Sequence, residues 1–216
     1  MNRVVEAEIL DSLAFDDADA IRNRSEITRI NRWMGNWSWI QKTLNLKLPE
    51  QGKILEIGAG DGILSHFTSA HSNQTYTGLD VVPRPTNLFP NAKWISAKVQ
   101  DFEKWSDYST IISNFFLHQL NDTEIRKIGL MISESARSIV INEPYRSRLH
   151  LTLCKPLFRL LGYGPVTQHD GFLSIRAGFR GDELQTLLGL DPFHWNIQRS
   201  ATLLGAYRFA ATRITG

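Results

Sequence analysis

Glu56, Gly58, Gly60, Gly62 and Asp80 form the stretch of this sequence best suited to holding a ligand. Residues 54–62, ILEIGAGDG, run from apolar positions into glycines at every second place, in the pattern E-x-G-x-G-x-G. A chain that turns from a strand into a helix on such glycines brings its backbone against a ligand with no side chain between them. Asp80 ends the next apolar run, TGLD, twenty residues beyond Gly60, and is placed to accept hydrogen bonds from ribose hydroxyls. The plain alternative is a tight strand-to-helix turn and nothing more. A phosphate-binding P-loop needs Gly-Lys-Ser/Thr, which is absent, and the dinucleotide fingerprint wants glycine or alanine where Ile63 stands. Glu56 suits a cationic ligand better than a pyrophosphate.

Acid–base chemistry has three candidates. His118 follows an apolar run, TIISNFFLHQL, and is the leading general base; its plainer role is to orient that loop. Glu143 in INEPYR ends another apolar run, and its plainer role is a loop anchor paired with Arg146. His169, beside Asp170 in QHDG, reads either as turn chemistry or as a substrate contact. No H-E-x-x-H or comparable ligand spacing is present, so no metal is expected.

These residues need elements to position them. Residues 1–48 read as a helical, polar-rich cap, with Ile27, Ile30, Met34 and Trp37 on one helical face and a break near Gly35. Pro49 and Gly52 punctuate the start of the first strand, Ile54–Ile57. A helix is expected from about Gly62 to Ala70, and strands at Thr75–Asp80, Ala92–Val99, Thr110–Phe116 and Ser138–Asn142. A helix capped by Asn121 or Asp122 separates the last two. Alternation of this kind implies a parallel sheet with helical crossovers. Asn196–Leu203 and Ala206–Thr212 are too close for a crossover and make an antiparallel hairpin. The expected fold is α/β: a doubly wound, seven-stranded, mostly parallel sheet ending in an antiparallel hairpin, with a helical N-terminal extension. Residues 49–216 form its main domain.

Composition is that of an ordinary globular protein: 216 residues, 42% hydrophobic and 21% charged, with net charge +2. That charge gives no case for nucleic acid. One cysteine, Cys154, excludes an internal disulfide, and neither a signal-peptide core nor a membrane-length apolar run is seen. A cytoplasmic location is expected.

LEIGAGDG, TGLD, VQDF and the terminal strand pair together resemble the class I S-adenosyl-L-methionine-dependent methyltransferases, over roughly residues 50–214. FFLHQL and HDGFLSIRAGF resemble members acting on quinone, phenol or polyketide-like molecules. The resemblance implies S-adenosyl-L-methionine as cofactor, with the Gly58–Ala59–Gly60 backbone facing its methionine end and ribose, and Glu56 supporting that loop. Asp80, with Val81 after it, would hold the ribose hydroxyls. Gln100 and Asp101 would meet the adenine, and the Asn114 and Phe115 carbonyls the amino group. The implied activity is methyl transfer to a hydrophobic small molecule. A non-catalytic sensor that binds the cofactor, or a protein or nucleic-acid methyltransferase, is the alternative. The Asn/Asp-Pro-Pro-Tyr/Phe motif of nucleic-acid N-methylating enzymes is replaced here by SNFF, which disfavours nucleic acid.

Residues 145–180 carry six basic residues against the single acid Asp170. As a helix from Ser147 to Leu161, bent or divided at Pro156, this segment puts Arg148, Thr152, Lys155 and Arg159 on one side. Leu149, Leu153, Leu157 and Leu160 fall on another. Three readings follow: a helix packed on the sheet with a solvated basic face, a lid over residues 146–180 closing on an apolar substrate, or a peripheral contact of 146–159 with anionic lipid.

Overall fold

A computed structural model describes residues 1–47, 52–69 and 75–214. Pro49, the expected boundary between cap and main domain, and Ala70 lie outside the described residues. Seven strands form one sheet in the order β3-β2-β1-β4-β5-β7-β6. They are β1 (Lys53–Ile57), β2 (Thr75–Asp80), β3 (Lys93–Ser96), β4 (Thr110–Asn114), β5 (Ser138–Pro144), β6 (Trp195–Ala201) and β7 (Ala206–Arg213). Strands β1 to β5 pair in parallel, while β7 runs antiparallel to both β5 and β6. This is the expected doubly wound sheet with its terminal hairpin.

Successive residues of the central strands feed two cores, one on each face of the sheet. Leu55, Ile57, Ile111, Ile139 and Ile141 pack with Ile125, Ile128 and Ile132 of α4 (Asp122–Ser135). Ile54, Ile112 and Val140 pack on the other face with Trp37, Ile40 and Leu44 of α2 (Asn36–Lys47) and Leu64 of α3 (Leu64–Ser69). Parallel strands covered on both faces read as continuous apolar runs, which is why KILEI and TIISN were legible as strands. Asn121 caps α4, its side chain accepting from the Glu124 amide while Glu124 bonds back to the Asn121 amide.

Helix α1 (Ala18–Trp33) begins on Asp17 and gives way to α2 across Gly35, whose φ of +64° supplies the break. Helix α5 (Arg148–Leu160) starts on Ser147 and runs undivided through Pro156; α6 (Pro165–Ala177) follows it, with Pro165 in its first turn, and α7 (Glu183–Leu187) precedes the hairpin.

Three local expectations are corrected. Residues 1–17 are not α-helical beyond a single 3₁₀ turn at Leu10–Ser12; they form a strap fixed by side-chain hydrogen bonds. The third strand stops at Ser96, because the chain winds into a 3₁₀ turn at Val99–Asp101. The fourth stops at Asn114, because Phe115 takes φ +56° and the following amides turn toward Glu143.

Candidate functional site

The carboxyl ends of β1, β2, β4 and β5 open into a cavity of about 780 Å³, bordered on its far side by the N-terminal strap, α1, α5, α6 and the hairpin tip. That volume falls in the range of small-molecule and cofactor sites, roughly 300–1,000 Å³.

The glycine loop forms one wall. Gly58, Gly60 and Gly62 all have positive φ, at 68°, 52° and 66°. They differ in what a side chain would meet. A Cβ on Gly58 would fall 2.1 Å from Cγ of Phe116, and one on Gly62 would fall 2.5 Å from Leu88, whereas Gly60 faces open space. The first and third glycines therefore admit the protein's own side chains, and the middle one leaves the cavity clear. Asp80 fixes the loop: its carboxylate accepts from the Gly60 amide at 2.8 Å and from the Val82 amide at 3.2 Å. Ala59 and Val81 border the cavity with these groups.

Glu56 lies under the loop, fully enclosed, with the Tyr76 hydroxyl donating to it. Burial is the main reason its carboxyl is pushed up to about 8; the Tyr76 bond works against this and the charge of Asp80 adds to it. Asp61 is also raised by burial, with Arg24 of α1 opposing from 3.6 Å. A cavity wall with one buried and two half-buried acids and a clear glycine backbone fits a nucleoside bearing a cationic group.

At the end of β4, the Phe115 amide donates to the Asn142 carbonyl at 2.8 Å. The Asn114 side chain donates to Asn31 of α1 at 3.0 Å and accepts from Asn142 at 2.9 Å; Asn36 also donates to Asn31, at 3.0 Å. This chain of amides ties the first two helices to the centre of the sheet. Nonlocal pairing of this kind leaves no signature in sequence spacing, and Asn31 was missed for that reason.

His118 and Glu143 meet, and Glu8 from the strap joins them. His118 Nδ1 lies 2.7 Å from Glu143 Oε2, and its Nε2 lies 3.5 Å from Glu8 Oε1. Burial opposes charge on the imidazole, but hydrogen bonds and charge from both glutamates outweigh it, and the His118 pKa rises to about 9. Glu143 is fully buried and also accepts from the amides of Phe116 at 3.0 Å and Leu117 at 2.8 Å. It is the anchor of the 3₁₀ turn Leu117–Gln119. The expected pairing with Arg146 is replaced: Arg146 bonds Glu183 and the Met1 carbonyl.

Glu8 accepts from Ser174 of α6 at 2.6 Å and from Gln119 at 3.4 Å. Burial alone would raise its pKa, yet His118, Ser174 and Gln119 together bring it below the usual carboxylate range. Nothing in the spacing of MNRVVEAEIL marks Glu8, because its partners lie more than a hundred residues away.

His169 and Asp170 lie inside α6 and not on a turn, since Gly164 and Pro165 start that helix five residues earlier. His169 is exposed and does not border the cavity. Asp170 is buried, accepts from His169 at 2.8 Å, and receives the amides of Ile9 at 2.9 Å and Leu10 at 3.0 Å. Its role is to hold the strap. Gln100 and Asp101 are exposed and do not border the cavity either, and the Gln100 side chain donates to Glu124 at 2.9 Å.

The opposite end of the cavity is apolar. Ile27 and Ile30 of α1 and Met34 just beyond it border this end together with Leu149, Leu153 and Leu157 of α5. The leucine side of α5 is thus turned to the cavity mouth and to solvent, and is not packed on the sheet.

No protein-family profile and no curated protein matches the chain in sequence. Solved structures do match in fold. The plantazolicin methyltransferase BpumL in complex with SAH superposes with TM-score 0.69 at 14% identity, over 93% of this chain and 92% of that one. The same enzyme with a triazolic desmethyl-plantazolicin analog and SAH gives TM-score 0.70 at 12% identity, covering 92% of each. The N-methyltransferase NodS from Bradyrhizobium japonicum, in complex with S-adenosyl-L-homocysteine, gives 0.52 at 14%, over 82% and 86%. The chain therefore shares the α/β fold of these methyltransferases.

Proposed function

We propose that this chain is an S-adenosylmethionine-dependent methyltransferase whose acceptor is a largely apolar small molecule. The observation that carries this reading is the single cavity that runs from the Glu56–Gly60–Asp80 wall to the leucines of α5. The fold neighbours that hold SAH support the cofactor assignment.

Gly60 and Asp80 would hold the nucleoside end of the cofactor, and Glu56 would face its positive charge. When bound, S-adenosylmethionine supplies an electrophilic methyl group and a neutral thioether as leaving group. The protein's part is to exclude water and align the acceptor, which accounts for much of the acceleration in such displacements. Where the acceptor must also lose a proton, the His118–Glu8 pair is the acid–base group at the cavity edge: Glu143 holds Nδ1 of His118, and His118 Nε2 faces Glu8.

The test is calorimetry with S-adenosylmethionine, followed by transfer of labelled methyl to phenolic, quinone and azole-containing acceptors. Binding that disappears in Asp80→Asn, together with transfer to at least one apolar acceptor, supports the reading. Unchanged affinity in Asp80→Asn refutes the cofactor site. Tight binding with no transfer to any class favours a sensor.

A further inference from the structure

Helix α5 is attached to the protein along one side only. Cys154 is its buried residue, with Leu151 and Phe158 half-buried beside it. At about 100° per residue, Leu149, Leu153, Leu157 and Leu160 share a second sector, and Arg148, Lys155 and Arg159 a third. Leu149 is 60% exposed and Leu160 83% exposed. The tip of the β6–β7 hairpin continues this surface. Leu203 is 90% exposed and Leu204 60%, and the Leu203 carbonyl lies 3.1 Å from Nε2 of His150 on α5. Six leucines from two elements thus form one open apolar ridge. Isolated exposed leucines are unremarkable, but a contiguous ridge marks a binding surface.

Three features select its occupant. No aspartate or glutamate occurs from Tyr145 through His169, and the hairpin tip Ser200–Gly205 has no charged residue, so the cations beside the ridge have no acid on their own segments. A second copy packed ridge to ridge would offer Arg148, Lys155 and Arg159 no opposite charge, since the same acid-free segments would meet. A molecule in the cavity would leave Leu160 uncovered, because Leu160 lies outside the cavity lining. A leucine stripe with a basic sector on one side of the same helix, its Lys155 also resting over the Phe172 ring, matches the interfacial layer of an anionic bilayer, where apolar side chains enter the acyl boundary and basic heads stay with the phosphates.

We infer that α5 and the hairpin tip dock on anionic membrane, with the ridge lying in the interface. Contact is peripheral, since no helix among the described residues is long and apolar enough to cross a membrane. Leu149, Leu153, Leu157, Leu203 and Leu204 also border the cavity, so docking sets its mouth against the lipid. An apolar acceptor would then enter without crossing water. That last consequence rests on the methyltransferase reading, whereas docking itself does not.

The experiment is co-sedimentation of the full chain with vesicles of phosphatidylcholine containing phosphatidylglycerol, against phosphatidylcholine alone, over a salt series and without cofactor or acceptor. Binding to the anionic vesicles is expected, weakening as salt rises. Replacing Arg148, Lys155 and Arg159 by glutamine should weaken it about fivefold per residue. Leu160→Glu, at an exposed site whose substitution leaves the core intact, should reduce binding at least tenfold, with circular dichroism unchanged. Failure to sediment with anionic vesicles overturns the proposal. So does binding that Leu160→Glu leaves unaltered. Self-association in sedimentation velocity that Leu160→Glu abolishes, with no vesicle binding, assigns the ridge to a second copy instead. None of these outcomes alters the result of the cofactor-binding test, so the two readings fail separately.

Discussion

Glu143 Oε2 lies 2.7 Å from His118 Nδ1, and its other oxygen receives the amides of Phe116 and Leu117. One buried carboxylate therefore fixes the turn after β4 and the orientation of the imidazole. Removing its charge in Glu143→Gln keeps one oxygen for the two amides but sets an NH2 donor against His118 Nδ1, leaving a buried imidazolium short of a partner. Glu143→Gln should lower stability by about 3–5 kcal/mol, the usual cost of breaking a buried ionic pair from one side. Chemical denaturation at pH 7 checks this. A loss under 1 kcal/mol would mean that His118 is not charged in the folded protein.

The strap should open at high pH. The folded-state pKa of His118, about 9, lies above its ordinary value near 6.5, so its contribution is whole below about 6.5 and is lost as pH rises through 9. Glu8 is shifted the other way: its contribution is present above the normal carboxylate range and lost as pH falls through its lowered value. The His118–Glu8 contact is intact between these limits. Hydrogen exchange at the amides of Ile9 and Leu10, held by Asp170, should accelerate above pH 9 beyond the intrinsic base-catalysed rise. In Glu8→Gln that extra acceleration should vanish.

Much of this arrangement was legible in the sequence, and the division has a physical cause. β1, β2, β4 and β5 were readable because strands buried on both faces need continuous apolar runs, and the loop because three positive-φ positions demand glycine; β3, a half-buried edge strand, was placed but drawn too long. Asn121 announced its helix through local capping. The strap was misread because its conformation is set by Arg3, which donates to the carbonyls of Ala177, His118 and Leu120, and by Asp170. Those partners lie far away in the chain, and residues 1–17 have no periodicity that records them. The leucines of α5 show the converse limit: spacing put them on one side of a helix, but only the fold shows that this side borders the cavity and stays largely open among the described residues.

Glu56 should trade stability for binding. Its carboxyl holds a proton to about pH 8 in the folded protein but loses it near 4.5 when unfolded, so its contribution to stability falls as pH rises between those values. Glu56→Gln removes that penalty and should raise the thermal midpoint at pH 8, by a few kcal/mol of stability at most, with little change at pH 4. A cationic ligand beside Glu56 favours its ionised form. Binding of S-adenosylmethionine near pH 7 should therefore release protons, seen as calorimetric enthalpies that vary with the ionisation heat of the buffer. Glu56→Gln should weaken binding and abolish that release. Proton release that persists in the variant would place its source elsewhere.

Gly58 and Gly60 separate what the loop does for the fold from what it does for a ligand. At Gly58 an added Cβ would meet Phe116 at 2.1 Å, so Gly58→Ala has to displace a ring as well as adopt a left-handed backbone. Its cost should be about 3 kcal/mol or more. At Gly60 nothing lies within 4 Å of the added carbon, and the amide that bonds Asp80 is retained. Gly60→Ala should then cost only the backbone strain, about 1–2 kcal/mol, and the protein should fold. The new methyl group would project into the cavity where the nucleoside is proposed to sit, so affinity for S-adenosylmethionine should fall at least tenfold. Denaturation and calorimetry on both variants check the contrast. A folded Gly60→Ala with undiminished affinity would show that the middle glycine serves the turn alone, and would move the cofactor off this wall.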